Sequence, residues 1–124
     1  MGTEVRLKYS EVKPHREQLL LRQNQRCALC NELIEDDAVL DHCHKTGKIR
    51  KVLHRGCNLM LGKIENAMPR TRITARRLEA FAINLMRYLE QEYEDIVHPT
   101  YRTPEERAMY KKKKKGSGKK KKGY

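Results

Sequence analysis

Two pairs of metal-binding side chains, each with two residues between its members, constrain this chain more than any other feature: Cys27-x-x-Cys30 and His54-x-x-Cys57. Zinc in a structural site takes four soft or borderline ligands in a tetrahedron, commonly from two short-spaced pairs that each bend around the ion. The pairs together make a Cys₃His set, and the segment between them reads as a hairpin. Ala38-Val39-Leu40 is a short strand running into Asp41, Lys45-Thr46-Gly47-Lys48 is a turn in which Gly47 can take positive φ, and Ile49 to His54 is the return strand. The competing readings are buried, unligated cysteines and a thioredoxin-like redox pair, which lacks its βαβ setting. Cys43 lies between His42 and His44. If the strand continues to His44, neighbours point to opposite faces, so Cys43 faces away from both histidines and is read as a packing residue.

A staple is what a chain of this composition needs. Of its 124 residues none is tryptophan and one, Phe81, is phenylalanine, and Lys111 to Tyr124 offers nothing to bury, so the folded part is smaller than the chain. No hydrophobic N-terminal run marks a secretory signal, which predicts a reducing compartment in which the cysteines bind metal. The expected location is cytoplasmic. No apolar run approaches the roughly 20 residues that cross a bilayer, so no membrane partner is expected.

The formal net charge of +12 is unevenly spread. Met1 to His44 carries six Lys/Arg against eight Asp/Glu, and Lys45 to Arg77 carries ten against one. Leu78 to Val97 is acidic again, and His98 to Tyr124 has eleven Lys/Arg against two Glu. Two such basic blocks point to nucleic acid, with an anionic membrane or an acidic protein as the lesser alternative.

The strong helix formers from Pro14 to Gln25 predict a short helix with Pro14 in its first turn and Leu19, Leu20 and Leu21 on its apolar side. Another helix is expected to begin near Cys57-Asn58, run through Leu59, Leu61 and Ile64, and stop at Pro69. A third spans roughly Thr74 to Asp95, where Leu78, Phe81, Ala82, Leu85, Leu89 and Tyr93 recur at helical spacing. That face packs on the module or on the same helix of a second chain, giving a homodimer. From His98 the lysine runs and a Gly-Ser-Gly spacer read as a flexible arm tracking DNA phosphates, or as a solubilising or linker-like addition. The organisation is therefore residues 1–68 as a zinc-stapled module with an N-terminal helix, 69–97 as an amphipathic helix, and 98–124 as a lysine-rich tail.

Asp41-His42-Cys43-His44 concentrates proton-active groups at the end of a strand. A carboxylate such as Asp41 is a hard ligand suited to Mg²⁺ or Mn²⁺, and a neutral imidazole such as His42 can take a proton from an attacking water. Asn58, next to Cys57, can offer an amide oxygen from the following helix. Phosphodiester hydrolysis requires a water nucleophile, a base, and positive charge on the developing oxyanion and leaving oxygen, and these groups meet that demand. A bare Asp-His pair is more often just a hydrogen-bonded pair; the neighbouring ligand pairs and basic block favour catalysis here.

Cys27-Ala-Leu-Cys30, Asp41-His42-Cys43-His44-Lys45-Thr46-Gly47-Lys48-Ile49-Arg50 and Cys57-Asn58-Leu59-Met60-Leu61-Gly62 closely resemble the phage recombination endonuclease VII family of HNH nucleases, over about Leu20 to Ala67. The resemblance implies a small α+β, ββα-metal (HNH) fold. It implies that His42 activates water, that Asp41 and Asn58 hold the catalytic Mg²⁺ or Mn²⁺, and that Cys27, Cys30 and Cys57 hold zinc. It also implies that His44 touches the scissile phosphate. Three departures stand out: His54 replaces the first cysteine of the family's second pair, Leu61 stands where some members carry an acid, with Glu65 a further turn on, and a lysine arm follows in place of a separate C-terminal domain.

Lys45, Lys48, Arg50, Lys51 and Arg55 on or beside the hairpin, with Lys63, Arg70 and Arg72 beyond it, form a band expected to grip backbone phosphates, which positions DNA without reading sequence. Arg76 and Arg77 are divided between that role and a solvated face, and His15 and His98 read as surface residues. The expected function is a structure-directed, metal-dependent DNA endonuclease acting on Holliday junctions or other branched DNA in phage recombination or DNA processing. The alternatives are a monomeric HNH nicking or homing endonuclease and a non-catalytic zinc module that binds nucleic acid.

Overall fold

The computed structural model describes residues 5–120, the side chains of 117–120 excepted; Lys121 and Lys122 of the basic tail lie outside the described residues. The elements in order are α1 (Tyr9–Arg22), β1 (Ala38–His42), β2 (Ile49–His54), α2 (Arg55–Thr71), α3 (Ala75–Glu90) and α4 (Pro104–Lys120). This is the expected small α+β fold, with β1, β2 and α2 in ββα order. The chain divides into two units, Met1–Ala82 and Ile83–Tyr124.

The first unit is built on the hairpin. β1 and β2 pair antiparallel, with Ala38 opposite His54, Val39 opposite Leu53, Leu40 opposite Val52 and His42 opposite Ile49. The register slips by one residue between Leu40 and His42. Asp41 therefore faces both Arg50 and Lys51, an irregularity of the kind that re-aims side chains beside functional sites. The connection closes through Cys43 N–H to the Lys48 carbonyl at 2.8 Å and Gly47 N–H to the Cys43 carbonyl at 2.7 Å. Gly47 adopts the positive φ (77°) expected of it, a conformation a Cβ would disfavour.

α1 and α2 both pack on both strands. The buried core is Cys27, Ile34, Val52 and Leu53, with Leu19, Leu20, Ala38, Leu40, Cys57 and Leu61 partly buried against it. Val52 and Leu53 are adjacent in β2 and so point to opposite faces, which means both faces of the strand are covered. Leu21, expected on the apolar side of α1, is exposed.

The helix boundaries differ from expectation for identifiable reasons. α1 starts five residues earlier, at Tyr9, because the Glu11 carboxylate accepts the Lys8 N–H at 3.1 Å and closes the first turn; Pro14 then lies inside the helix. α2 begins directly after β2 and runs past Pro69 to Thr71. A proline this close to a helix end removes one intrahelical bond from a turn that is already fraying, and the Thr71 hydroxyl donates to the Ala67 carbonyl at 3.0 Å. Arg72, in the left-handed region, ends the helix. Thr74 caps α3 by accepting the Arg77 N–H at 3.2 Å, and α3 ends at Glu90, before Glu92, Glu94 and Asp95, whose charges oppose the negative end of a helix. In the second unit α4 takes in much of the stretch read as a tail, opened by Thr103, whose hydroxyl accepts the Glu106 N–H at 3.2 Å.

One long-range contact was invisible in the pattern. The Gln23 side-chain amide acts as a strand partner for β2, accepting the Val52 N–H at 2.9 Å and donating to the Val52 carbonyl at 2.9 Å. It also donates to the Arg26 carbonyl at 2.8 Å. Gln23→Leu keeps much of the volume and strands the Val52 N–H, while the Val52 carbonyl keeps the Ala28 N–H, so it should cost about 1–3 kcal/mol in urea unfolding of the zinc-loaded protein. A loss below measurement error would show that the contact contributes nothing.

Candidate metal centre and active site

The two ligand pairs arrive from different structures. Cys27 and Cys30 lie on a knuckle whose shape is set by Asn31 N–H to the Cys27 carbonyl at 2.9 Å, Cys27 N–H to the Glu32 carbonyl at 2.9 Å, and Asn31 in the left-handed region. Ala28 N–H reaches the Val52 carbonyl at 3.2 Å and ties the knuckle to β2. His54 is the last residue of β2 and the N-cap of α2, and Cys57 lies in that helix's first turn. The four ligand atoms lie within 4.8 Å of one another.

The spacing fits zinc. A tetrahedron with Zn–S near 2.3 Å and Zn–N near 2.0–2.1 Å has ligand–ligand edges of about 3.5–3.8 Å. His54 Nδ1 is 3.3 Å from Cys30 Sγ and 3.9 Å from Cys57 Sγ. His54 Nε2 is 2.9 Å from the Leu33 carbonyl, an acceptor only, so Nε2 carries the proton and Nδ1 is presented to the sulfurs. The set could thus hold a structural zinc ion. Cys43 takes no part in it.

Crowding four ligands perturbs their protons. The hydrogen bond to the Leu33 carbonyl, then that to Cys27, hold the His54 imidazolium up to about 9. Burial, then hydrogen bonds to Cys27 and Cys30, push the Cys57 thiol up to about 12. Burial also acts to raise Cys27, but hydrogen bonds from the backbone N–H groups of Cys30, His54 and Leu29 and from the His54 ring outweigh it and bring that thiol down to about 6.

The Asp41–His44 run straddles the end of β1. Asp41 is buried at 5% exposure, His42 is the exposed last residue of the strand, and His44 is exposed in the turn. The His42 and His44 rings lie with centroids 4.8 Å apart, although His44 lies beyond the end of the strand. Asn58 is half-buried in the first turn of α2, one residue beyond Cys57.

The Asp41 carboxylate is engaged by Arg50, whose Nε donates to Oδ2 at 2.6 Å and Nη2 to Oδ1 at 3.2 Å. The same guanidinium grips Glu65, through Nη1 to Oε2 and Nη2 to Oε1, both at 3.0 Å. Hydrogen bonding by Arg50 lowers the Glu65 carboxyl below its usual range, and Glu65 in turn, with Asp41, raises Arg50. Sequence reasoning placed Arg50 in the exposed phosphate-binding band and left Glu65 without a role. The available signal was spacing: Glu65 lies seven residues after Asn58, two turns along the same helix face.

The other basic residues of the band are exposed. Lys45 and Lys48 are in the hairpin connection, Lys51 on β2, Arg55 at the start of α2, Lys63 along it, Arg70 in its last turn and Arg72 at its C-cap. Among the described residues none of these forms an ion pair, in contrast to Arg50.

A family model described as recombination endonuclease VII matches residues 2–91. The chain belongs to the recombination endonuclease VII family. No curated protein matches it. The matched segment takes in both ligand pairs, the hairpin, α2 and α3. Among the described residues no helix is long and apolar enough to cross a membrane.

His54→Ala and Cys57→Ser should lose zinc and unfold the module, whereas Cys43→Ser should keep both. Zinc needs a neutral imidazole and thiolates, so binding must expel the protons held by His54 (to about 9) and Cys57 (to about 12). Log affinity, read by competition with a chromophoric chelator, should rise by at least about 2 per pH unit between pH 7 and 9. A pH-independent affinity would contradict the ligand set.

Proposed function

We propose that this member of the family is a metal-dependent DNA endonuclease of HNH type that hydrolyses phosphodiester bonds around Asp41, His42 and Asn58. The observation that carries the reading is the end of β1, where a buried carboxylate lies beside an exposed imidazole at the edge of the basic band. Asp41 and Glu65 converging on one cation, with the Asn58 amide nearby in sequence to a zinc ligand, are hard oxygen donors of the kind Mg²⁺ or Mn²⁺ takes. Asp41 and Asn58 would hold such an ion, which would supply positive charge to the developing oxyanion and leaving oxygen. His42, whose side chain is exposed at the end of β1, takes the proton of the attacking water, and His44 lies close enough to its ring to touch the same phosphate. Lys45, Lys48, Lys51, Arg55, Lys63, Arg70 and Arg72 hold phosphates on either side of the cut.

The family's name supports DNA in recombination as the substrate; we take that substrate to be branched DNA such as Holliday junctions, met in phage DNA processing within the host cytoplasm. A non-catalytic binding module has no need of the Asp41–His42–Asn58 combination. The metal-dependent nicking of supercoiled plasmid by wild type, lost by about 10²-fold or more in His42→Ala, is the expected result. No nicking with either Mg²⁺ or Mn²⁺ would favour the binding module, and equal cleavage of four-way junctions and linear duplex would favour a nicking or homing endonuclease. With about six phosphates neutralised, log affinity should fall with log salt at a slope of about −5.

Pairing of two chains through α3 completes the proposal. Phe81 is 55% exposed, Met86, Tyr88 and Leu89 are exposed, and α3 buries none of its residues, so its apolar stripe is unsatisfied within the described chain. Sedimentation should give a dimer, and Phe81→Glu a monomer that retains zinc; a wild-type monomer at micromolar concentration would remove this part of the reading.

A further inference from the structure

We infer that Arg50 occupies the cation position of the proposed catalytic site and is exchanged for the divalent ion, with Glu65 as the residue that receives it. The inference rests on the reading of Asp41 as a metal ligand. Its observations are the two forked contacts of a single guanidinium. Arg50 holds Asp41 through Nε and Nη2 and Glu65 through Nη1 and Nη2, so Nη2 is shared. The Asp41 side chain is 6% exposed, while Arg50 and Glu65 are 33% and 36% exposed. Of the three, Arg50 and Glu65 are the ones with room to move, and Asp41 is the one that is fixed.

The hydrogen-bond inventory sets the direction of the exchange. A guanidinium has five N–H donors in a rigid planar fork, and rotating it off Asp41 breaks the Nε contact and one of the two made by Nη2. The Nη1 and Nη2 contacts to Glu65 can be kept if the half-exposed Glu65 side chain swings with the guanidinium. Arg50 therefore keeps a complete carboxylate partner when Asp41 passes to a metal ion, and the charge left on Asp41 is never buried without a counter-charge, which would be strongly unfavourable. The register slip places Arg50 opposite Asp41, and α2 carries Glu65 to the outer side of the same fork. Glu65 is in this account a positioning residue that acts through Arg50 and does not touch the ion.

The opposed signs of two substitutions test it. Binding of Mn²⁺ to the zinc-loaded protein without DNA is followed by the electron paramagnetic resonance of the free ion. Arg50→Gln removes the competitor and should tighten Mn²⁺ about tenfold. Glu65→Gln removes the receiver, leaves Arg50 to Asp41 alone, and should weaken Mn²⁺ by about threefold or more. The double variant should match Arg50→Gln, because Glu65 has no effect once Arg50 is gone; a double variant markedly weaker than Arg50→Gln would make Glu65 a ligand and overturn its receiving role. Arg50→Lys, which keeps a charge but not the fork, serves if Arg50→Gln fails to fold and should still bind Mn²⁺ more tightly than wild type. Unchanged or weakened Mn²⁺ binding in zinc-replete Arg50 variants overturns the exchange. Asp41→Asn separates this from failure of the underlying reading: if it binds Mn²⁺ as wild type does, the metal is not at Asp41 and both fall, whereas its loss of Mn²⁺ leaves the metal site standing whatever the Arg50 variants do.

Discussion

The first unit depends on a single constraint, the convergence of Cys27, Cys30, His54 and Cys57 on one point. Among the described residues four buried apolar side chains make up its core, and one of them, Cys27, is itself a candidate ligand. Packing at that scale does not fix the angle between a knuckle, a hairpin and a helix, because each element buries too little to resist sliding. A tetrahedral ion would do so directly. Its ligands come from the knuckle, from the last residue of β2 and from the first turn of α2. The hydrogen bond from His54 to Leu33 orients the ring toward the sulfurs, and Gln23 and Ala28 cover the outer edge of β2 with amide groups where another strand could otherwise add.

The same junction connects the staple to the chemistry. β2 passes into α2 without a linker, so whatever holds His54 and Cys57 also places Asn58. At the other end of the hairpin the register slip gives Asp41 two opposing residues, and the fork of Arg50 uses that offset to reach both oxygens of its carboxylate. A regular ladder would put Lys51 opposite Asp41, a point charge on a flexible stem in place of a planar fork. Local irregularity at the strand end is thus what gives the buried acid a defined orientation.

What the sequence disclosed and what it concealed divide along the range of the interactions. The knuckle, the hairpin with Gly47 at its turn and the Cys₃His set follow from spacing, which is a local rule; Cys43 stays out of that set as expected, although β1 ends at His42 and strand alternation does not extend to it. The starts and ends of helices were less legible: Glu11 opens α1 ahead of Pro14, the Thr71 hydroxyl helps carry α2 past Pro69, and the acidic run after Glu90 stops α3 short of Asp95. Gln23 and Glu65 were hidden for another reason. Each acts on a residue far away in sequence, Val52 and Arg50, and nothing in composition distinguishes a glutamine that completes a sheet edge from one that faces water. Arg50 was read as one more member of a basic block, because counting charges assigns every arginine to the surface unless its partner is known.

That reassignment changes how the basic block works. Arg50, Asp41 and Glu65 together carry a net negative charge of one, set within a segment that is otherwise strongly positive. Lys45, Lys48, Lys51 and Arg55 surround this group in sequence and form no ion pair among the described residues, so their charge is available to an anionic backbone. A uniformly positive face would bind phosphates and repel a divalent cation. A negative centre within a positive surround attracts both, each to its own place, and the low exposure of Asp41 strengthens the attraction at the centre because water screens it less. The metal ion and polyanion of the proposed function would then occupy one small hairpin without competing for the same side chains.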